Sequence, residues 1–61
     1  MEEQLFTDAI KILAEQEGKT LQRDFFRDLM LLGYNQLQAD QMLRADPRFV
    51  FQGLTVWFTR A

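Results

Sequence analysis

The sequence predicts an α+β domain, mostly α: three short helices closed by a C-terminal β-hairpin. Three observations carry this. Apolar residues recur at helical spacing over most of the chain, in segments divided by Gly18, Gly33 and Pro47. After Pro47 the pattern changes from a period of about 3.6 residues to one of about 2. A length of 61 residues, 48% of them hydrophobic, supplies one small ordered core, near the lower size limit for folding without a metal or disulfide. One domain over residues 1–61 follows.

The first helix is expected at about residues 3–16, where Leu5, Phe6, Ala9, Ile10 and Leu13 form one stripe and polar residues fill the other side, apart from Ile12. Gly18 is placed to end it, because glycine takes the left-handed conformation of a C-cap without strain. Lys19-Thr20-Leu21 reads as a short extended link, with Thr20 able to cap the next helix and Leu21 turned to the core. The second helix, about 22–32, carries Phe25, Phe26, Leu29, Met30 and Leu32 on a wide apolar face, and Gly33 stops it. Asn35 followed by Gln38 has capping-box spacing and opens a third helix at about 36–45. Pro47 prevents its continuation.

The hairpin occupies about residues 48–59. With Gln52 and Gly53 as the central turn residues, Phe51 faces Leu54, Val50 faces Thr55, Phe49 faces Val56 and Arg48 faces Trp57. Opposed residues share a side of a hairpin. One face is then Phe49, Phe51, Leu54, Val56 and Phe58, all apolar, while Arg48, Val50, Gln52, Thr55, Trp57 and Thr59 lie on the other. A four-residue loop with the same pairing is also compatible. The spacing places nearly all of the six phenylalanines on inward faces, which favours core packing over a stacking platform for single strands.

Charge is distributed unevenly. Residues 1–18 hold five carboxylates against Lys11, a balance of −4, and residues 19–61 hold six cations against four aspartates, a balance of +2. The net of −2 disfavours a strongly basic nucleic-acid binder. No apolar run approaches the ~20 residues that span a bilayer. Met1-Glu2-Glu3-Gln4 is acidic where a secretory leader is basic. No membrane partner is expected, and the expected setting is cytoplasmic or nuclear. The chain contains no histidine, cysteine or serine, which removes the usual general base, two usual nucleophiles and any thiolate metal site. A non-enzymatic protein with no cofactor and no small-molecule substrate is expected.

Gly18-Lys19-Thr20-Leu21 before the second helix, Asp46-Pro47-Arg48-Phe49-Val50 entering the hairpin and Trp57-Phe58 in its second strand give the chain its family likeness. It resembles the winged helix-turn-helix superfamily and, within it, HARE-HTH modules and the N-terminal modules of RNA polymerase delta subunits. The resemblance covers nearly the whole chain. It implies DNA binding in transcription or chromosome maintenance, with the third helix in the major groove and the wing on the backbone or minor groove. It also implies protein–protein contact as a second frequent role, particularly among acidic members. DNA binding is the leading expectation and protein contact the alternative, since fold alone does not choose between them.

Candidate contact residues fall in three groups. Leu37, Gln41 and Arg44 face outward on the third helix: Gln41 has the chemistry to read adenine, Arg44 guanine or phosphate, and Leu37 a thymine methyl. The same face also reads as a protein contact or as an ordinary solvated surface. On the outer side of the wing, Arg48, Val50 and Trp57 have the composition of a binding hot spot. Alternatively, Trp57 covers a thin sheet, or packs on Thr20-Leu21 as a third strand. Lys19, Arg23 and Arg27 can meet phosphate at the start of the second helix, although Asp24 and Asp28 dilute that stripe. The partner is thus DNA or a protein. A homodimer is a further possibility if the second hairpin strand is an open edge. The chain's ending fits either a complete minimal protein or a module of a longer one.

Overall fold

In the computed structural model, which describes residues 2–59, helix α1 spans Glu2–Glu15. Arg60 and the side chain of Glu2, counted above in the charge balance, lie outside the described residues. Leu5, Ala9 and Leu13 are buried as their spacing predicts, and so is Ile12, which was expected on the polar side. The reason is tertiary: α1 touches two helices and two strands, so its buried face is wider than one stripe. The helix closes through paired bonds from Gly18 N–H to the Leu13 carbonyl (2.6 Å) and from Glu17 N–H to the Ala14 carbonyl (3.2 Å). This is the Schellman pattern. Its left-handed C′ position is held by Glu17, at φ 59°, one residue before the expected Gly18.

Lys19–Leu21 is a true strand, β1, and leads directly into α2 (Gln22–Leu31). Thr20 was expected to cap α2. It pairs with Val56 instead, and the cap position falls on Leu21, which has no side-chain acceptor. The free N–H of Gln22 is satisfied across the fold by the Leu54 carbonyl (2.8 Å), and the Gln22 side chain donates to the carbonyls of Gly53 (3.0 Å) and Thr55 (2.8 Å). Phe25, Phe26 and Leu29 enter the core. Met30 and Leu32, placed on the apolar face by the sequence, are exposed, as is Leu31. Gly33, at φ 104°, ends the helix as expected, with Tyr34 N–H returning to the Leu29 carbonyl (3.2 Å).

Helix α3 spans Gln36–Ala45 and opens with the predicted cap, the Asn35 side chain accepting from Gln38 N–H at 3.0 Å. Ala39 and Leu43 are buried and Met42 packs at the core margin. Strands β2 (Phe49–Gln52) and β3 (Thr55–Phe58) form the hairpin. The turn is centred one residue further along than expected, so each partner is displaced by two: Gln52 faces Thr55, Phe51 faces Val56, Val50 faces Trp57 and Phe49 faces Phe58. The central turn residues are therefore Gly53 and Leu54, with Gly53 at φ 58°. Turn chemistry explains the change. Gln-Gly as a type I′ pair would force glutamine to positive φ, whereas glycine at the first central position suits type II′. Leu54 consequently leaves the apolar face and becomes 80% exposed.

The sheet order is β1-β3-β2, all antiparallel. The second hairpin strand is thus central, which removes the edge argument for self-association. Helices and sheet together give the three-helix, C-terminal-hairpin layout predicted. Phe49, Phe51, Val56 and Phe58 face the helices. Phe51 stacks on Phe26 (5.9 Å between ring centroids), Phe49 tilts against Phe58 (5.3 Å), and Phe6 stacks on Phe49 (6.2 Å). The phenylalanines are core residues.

Candidate binding surface

Alternation along three strands sends a second set of side chains away from the core. Lys19, Trp57 and Val50 make one row across β1, β3 and β2, and Leu21, Thr55 and Gln52 make the next. Leu21, expected in the core, belongs to this outer set because its neighbour Thr20 takes the inward position opposite Val56. Trp57 is half-buried at the centre of the array, and the Lys19 ammonium lies 5.9 Å from its ring centroid. That places a cation on an aromatic face, with Val50 on the other flank. The third strand that one reading placed beside Trp57 is present, but its residue next to Trp57 is Lys19 and not Thr20 or Leu21.

Arg48 is not Trp57's partner, contrary to the expected pairing. With the register moved, Arg48 lies opposite Thr59, whose N–H donates to the Arg48 carbonyl at 2.7 Å. Its guanidinium donates twice to Asp46, at 3.0 and 2.7 Å, and lies 5.7 Å from the Phe6 ring and 5.9 Å from the Phe58 ring. The Arg48 hydrogen bond holds the Asp46 carboxyl below its ordinary range, and Asp46 in turn raises the Arg48 pKa. Asp46-Pro47-Arg48 is a clamp at the entry to β2.

The outward face of α3 carries exposed Leu37 and Gln41 as predicted. Arg44 is exposed but committed. It donates to Asp40 (2.6 Å) and Gln22 (3.3 Å), and its guanidinium carbon lies 4.4 Å from the Phe51 ring centroid. Through Gln22 it ties α3 to the hairpin turn. Arg23 sits 3.8 Å from Asp24, and Arg27 reaches Asp24 (3.3 Å) and Asp28 (3.6 Å). Each of these four described arginines therefore has a carboxylate within salt-bridge distance. The structure brings Lys19, Val50 and Trp57 together. It separates from them Arg48 on one side and the Leu37, Gln41 and Arg44 face on the other.

Two features escaped the sequence reading. A shallow cleft of about 210 Å³ lies between Leu21, Gln22, Arg23 and Leu54. A second depression opens beside Leu31 and Leu32. The run Leu29-Met30-Leu31-Leu32 contained the signal for the latter, since four successive residues cannot all share one face of a helix. Among the described residues, no group of three or more acidic side chains is placed to hold a metal ion, and no helix is long and apolar enough to cross a membrane. The chain matches no protein-family model, no curated protein and no solved structure.

Proposed function

We propose that this chain is a non-enzymatic winged-helix binding module, working in the cytoplasm or nucleus, whose main contact surface is the outer face of the sheet and whose partner is a protein. The carrying observation is Trp57, set on the outer face of the central strand between Val50 and Lys19. Buried aromatic anchors dominate protein interfaces, because a large rigid ring gains contact area while losing few rotamers. Protein is favoured over nucleic acid by electrostatics. Phosphate binding draws its affinity from cations that displace counterions, and Arg23, Arg27, Arg44 and Arg48 each have an aspartate carboxylate within 3.8 Å that competes with phosphate.

The test compares proteins captured by the wild-type chain with those captured by Trp57→Ala, Leu37→Ala and Arg48→Ala, each checked for fold by circular dichroism. A partner lost with Trp57→Ala and retained with Leu37→Ala supports the reading. Identical capture by a folded Trp57→Ala protein refutes it.

DNA binding is the second reading, and the uncovered Leu37 and Gln41 on α3 favour it. It requires binding to random duplex at low salt that weakens steeply as salt rises, and that weakens further with Lys19→Glu or Arg44→Glu. Undetectable binding at low salt removes it.

A further inference from the structure

The four-residue apolar run that ends α2 has only Leu29 in the core. Leu31 is 78% and Leu32 59% exposed. With Ile12 of α1 they line a groove of about 350 Å³ between the two helices. Its remaining walls are charged: Asp8, Lys11 and Glu15 along α1, and Asp28 from α2. Three carboxylates thus surround an apolar floor with one ammonium among them. Two of those carboxylates have partners within the fold. The Tyr34 hydroxyl and the Gln4 amide donate to Asp8, and Arg27 lies 3.6 Å from Asp28 while also serving Asp24.

We propose that this groove docks a basic amphipathic helical segment of a partner protein. Charge complementarity argues for it. Asp8, Lys11 and Glu15 present minus, plus, minus at steps of three and four residues along one helix face. A helix lying alongside meets them with plus, minus, plus at matching spacing, its leucine-type side chains seated on Leu31, Leu32 and Ile12. Helix-in-groove recognition uses such a pairing of apolar anchors with flanking charges. The acidic rim repels phosphate, so neither nucleic acid nor an anionic membrane surface fits here. Lys19, Val50 and Trp57 are not among the groove's lining residues, so the inference stands independently of the sheet-face reading.

Two synthetic peptides of about 14 residues, four helical turns, test it. Both carry the same leucine stripe; one has lysines at the flanking positions with a central glutamate, the other has the charges reversed. Each is titrated into the full chain while backbone amide shifts are followed by NMR. The basic peptide is expected to shift residues 8–15 and 28–32 while leaving Lys19, Val50 and Trp57 in place. The reversed peptide is expected to bind about tenfold or more weakly, since juxtaposed like charges act against the wrong partner. Leu31→Ser with Leu32→Ser, both at exposed positions, is expected to remove binding of the basic peptide, and Glu15→Lys to weaken it, with circular dichroism establishing that each variant is folded. No shifts, equal affinity for the two peptides, or shifts centred on Trp57 overturn the proposal. Concentration-dependent shifts of the same residues without peptide also overturn it, because the occupant is then a second copy of this chain.

Discussion

Replacing Asp8 by Asn alters a property that one chromophore reports, the acidity of Tyr34. Tyr34 lies between α2 and α3, and its hydroxyl donates to Asp8 Oδ2 on α1 at 2.6 Å. Ionising the phenol would remove that donor and set a phenolate against a carboxylate. Chiefly through this hydrogen bond, the Tyr34 pKa is pushed up from 10.0 to about 12. The same bond, then the Gln4 amide and the Lys11 charge, lowers the pKa of Asp8. The two linkages have opposite signs. Tyr34's contribution to stability is complete below its unfolded value near 10.0 and is lost as pH rises through about 12. Asp8's contribution is complete above its unfolded value near 3.8 and is lost as pH falls through its lower folded value. Their joint effect is therefore a stability plateau between those unfolded values, declining on both sides. Tyr34 is the only tyrosine, so the rise of phenolate absorbance follows a single group. The wild-type midpoint is expected near 12, and that of Asp8→Asn distinctly lower but still above the ordinary 10.0, because burial continues to raise it, with far-UV circular dichroism establishing the folded state at each pH. A folded wild-type protein titrating near pH 10, or no difference between the two proteins, refutes the reasoning.

Phe26→Ala removes a buried ring stacked on Phe51 and should cost about 3–5 kcal/mol. A chain of this length has about 3–9 kcal/mol in total, so urea denaturation should find the variant largely unfolded; a near-native midpoint contradicts the core assignment. Gly53→Ala meets no atom within 4 Å, so its cost comes from the backbone at φ 58° alone; about 1–2 kcal/mol is expected in the same assay. Glu17→Gly relieves a non-glycine residue of the left-handed conformation and should raise stability by about 1 kcal/mol. Thermal melting checks the sign, and a lowered midpoint would show that Glu17 is unstrained there.

The helices were legible because their signals are local. Asn35 caps α3 through Gln38, three residues on, and Gly33 ends α2 by bonds confined to a single turn. The faces of the hairpin were legible too, even though its register was not. Moving the turn from Gln52-Gly53 to Gly53-Leu54 changes which residues oppose one another but leaves every paired strand residue on the same side, Leu54 alone passing from the apolar face into the turn. The apolar alternation therefore could not distinguish the two registers, and turn geometry at Gly53 decided between them. The candidate surface was half legible: Val50 and Trp57 belonged to an outward face from their spacing alone. Their other neighbour did not follow from it. Lys19 stands beside Trp57 because β1 pairs with β3, and Arg48 leaves that face because Asp46, Phe6 and Phe58 hold it.

Sequence by itself determined the three helices, the hairpin, the inward phenylalanines and the outward side of the hairpin, since periodicity and turn chemistry act within a few residues. Only the tertiary structure decided that β3 is central, that Ile12 is buried and that Leu31 and Leu32 are left uncovered. Those outcomes depend on which distant segments compete for the same small core, and spacing along the chain carries no record of that competition.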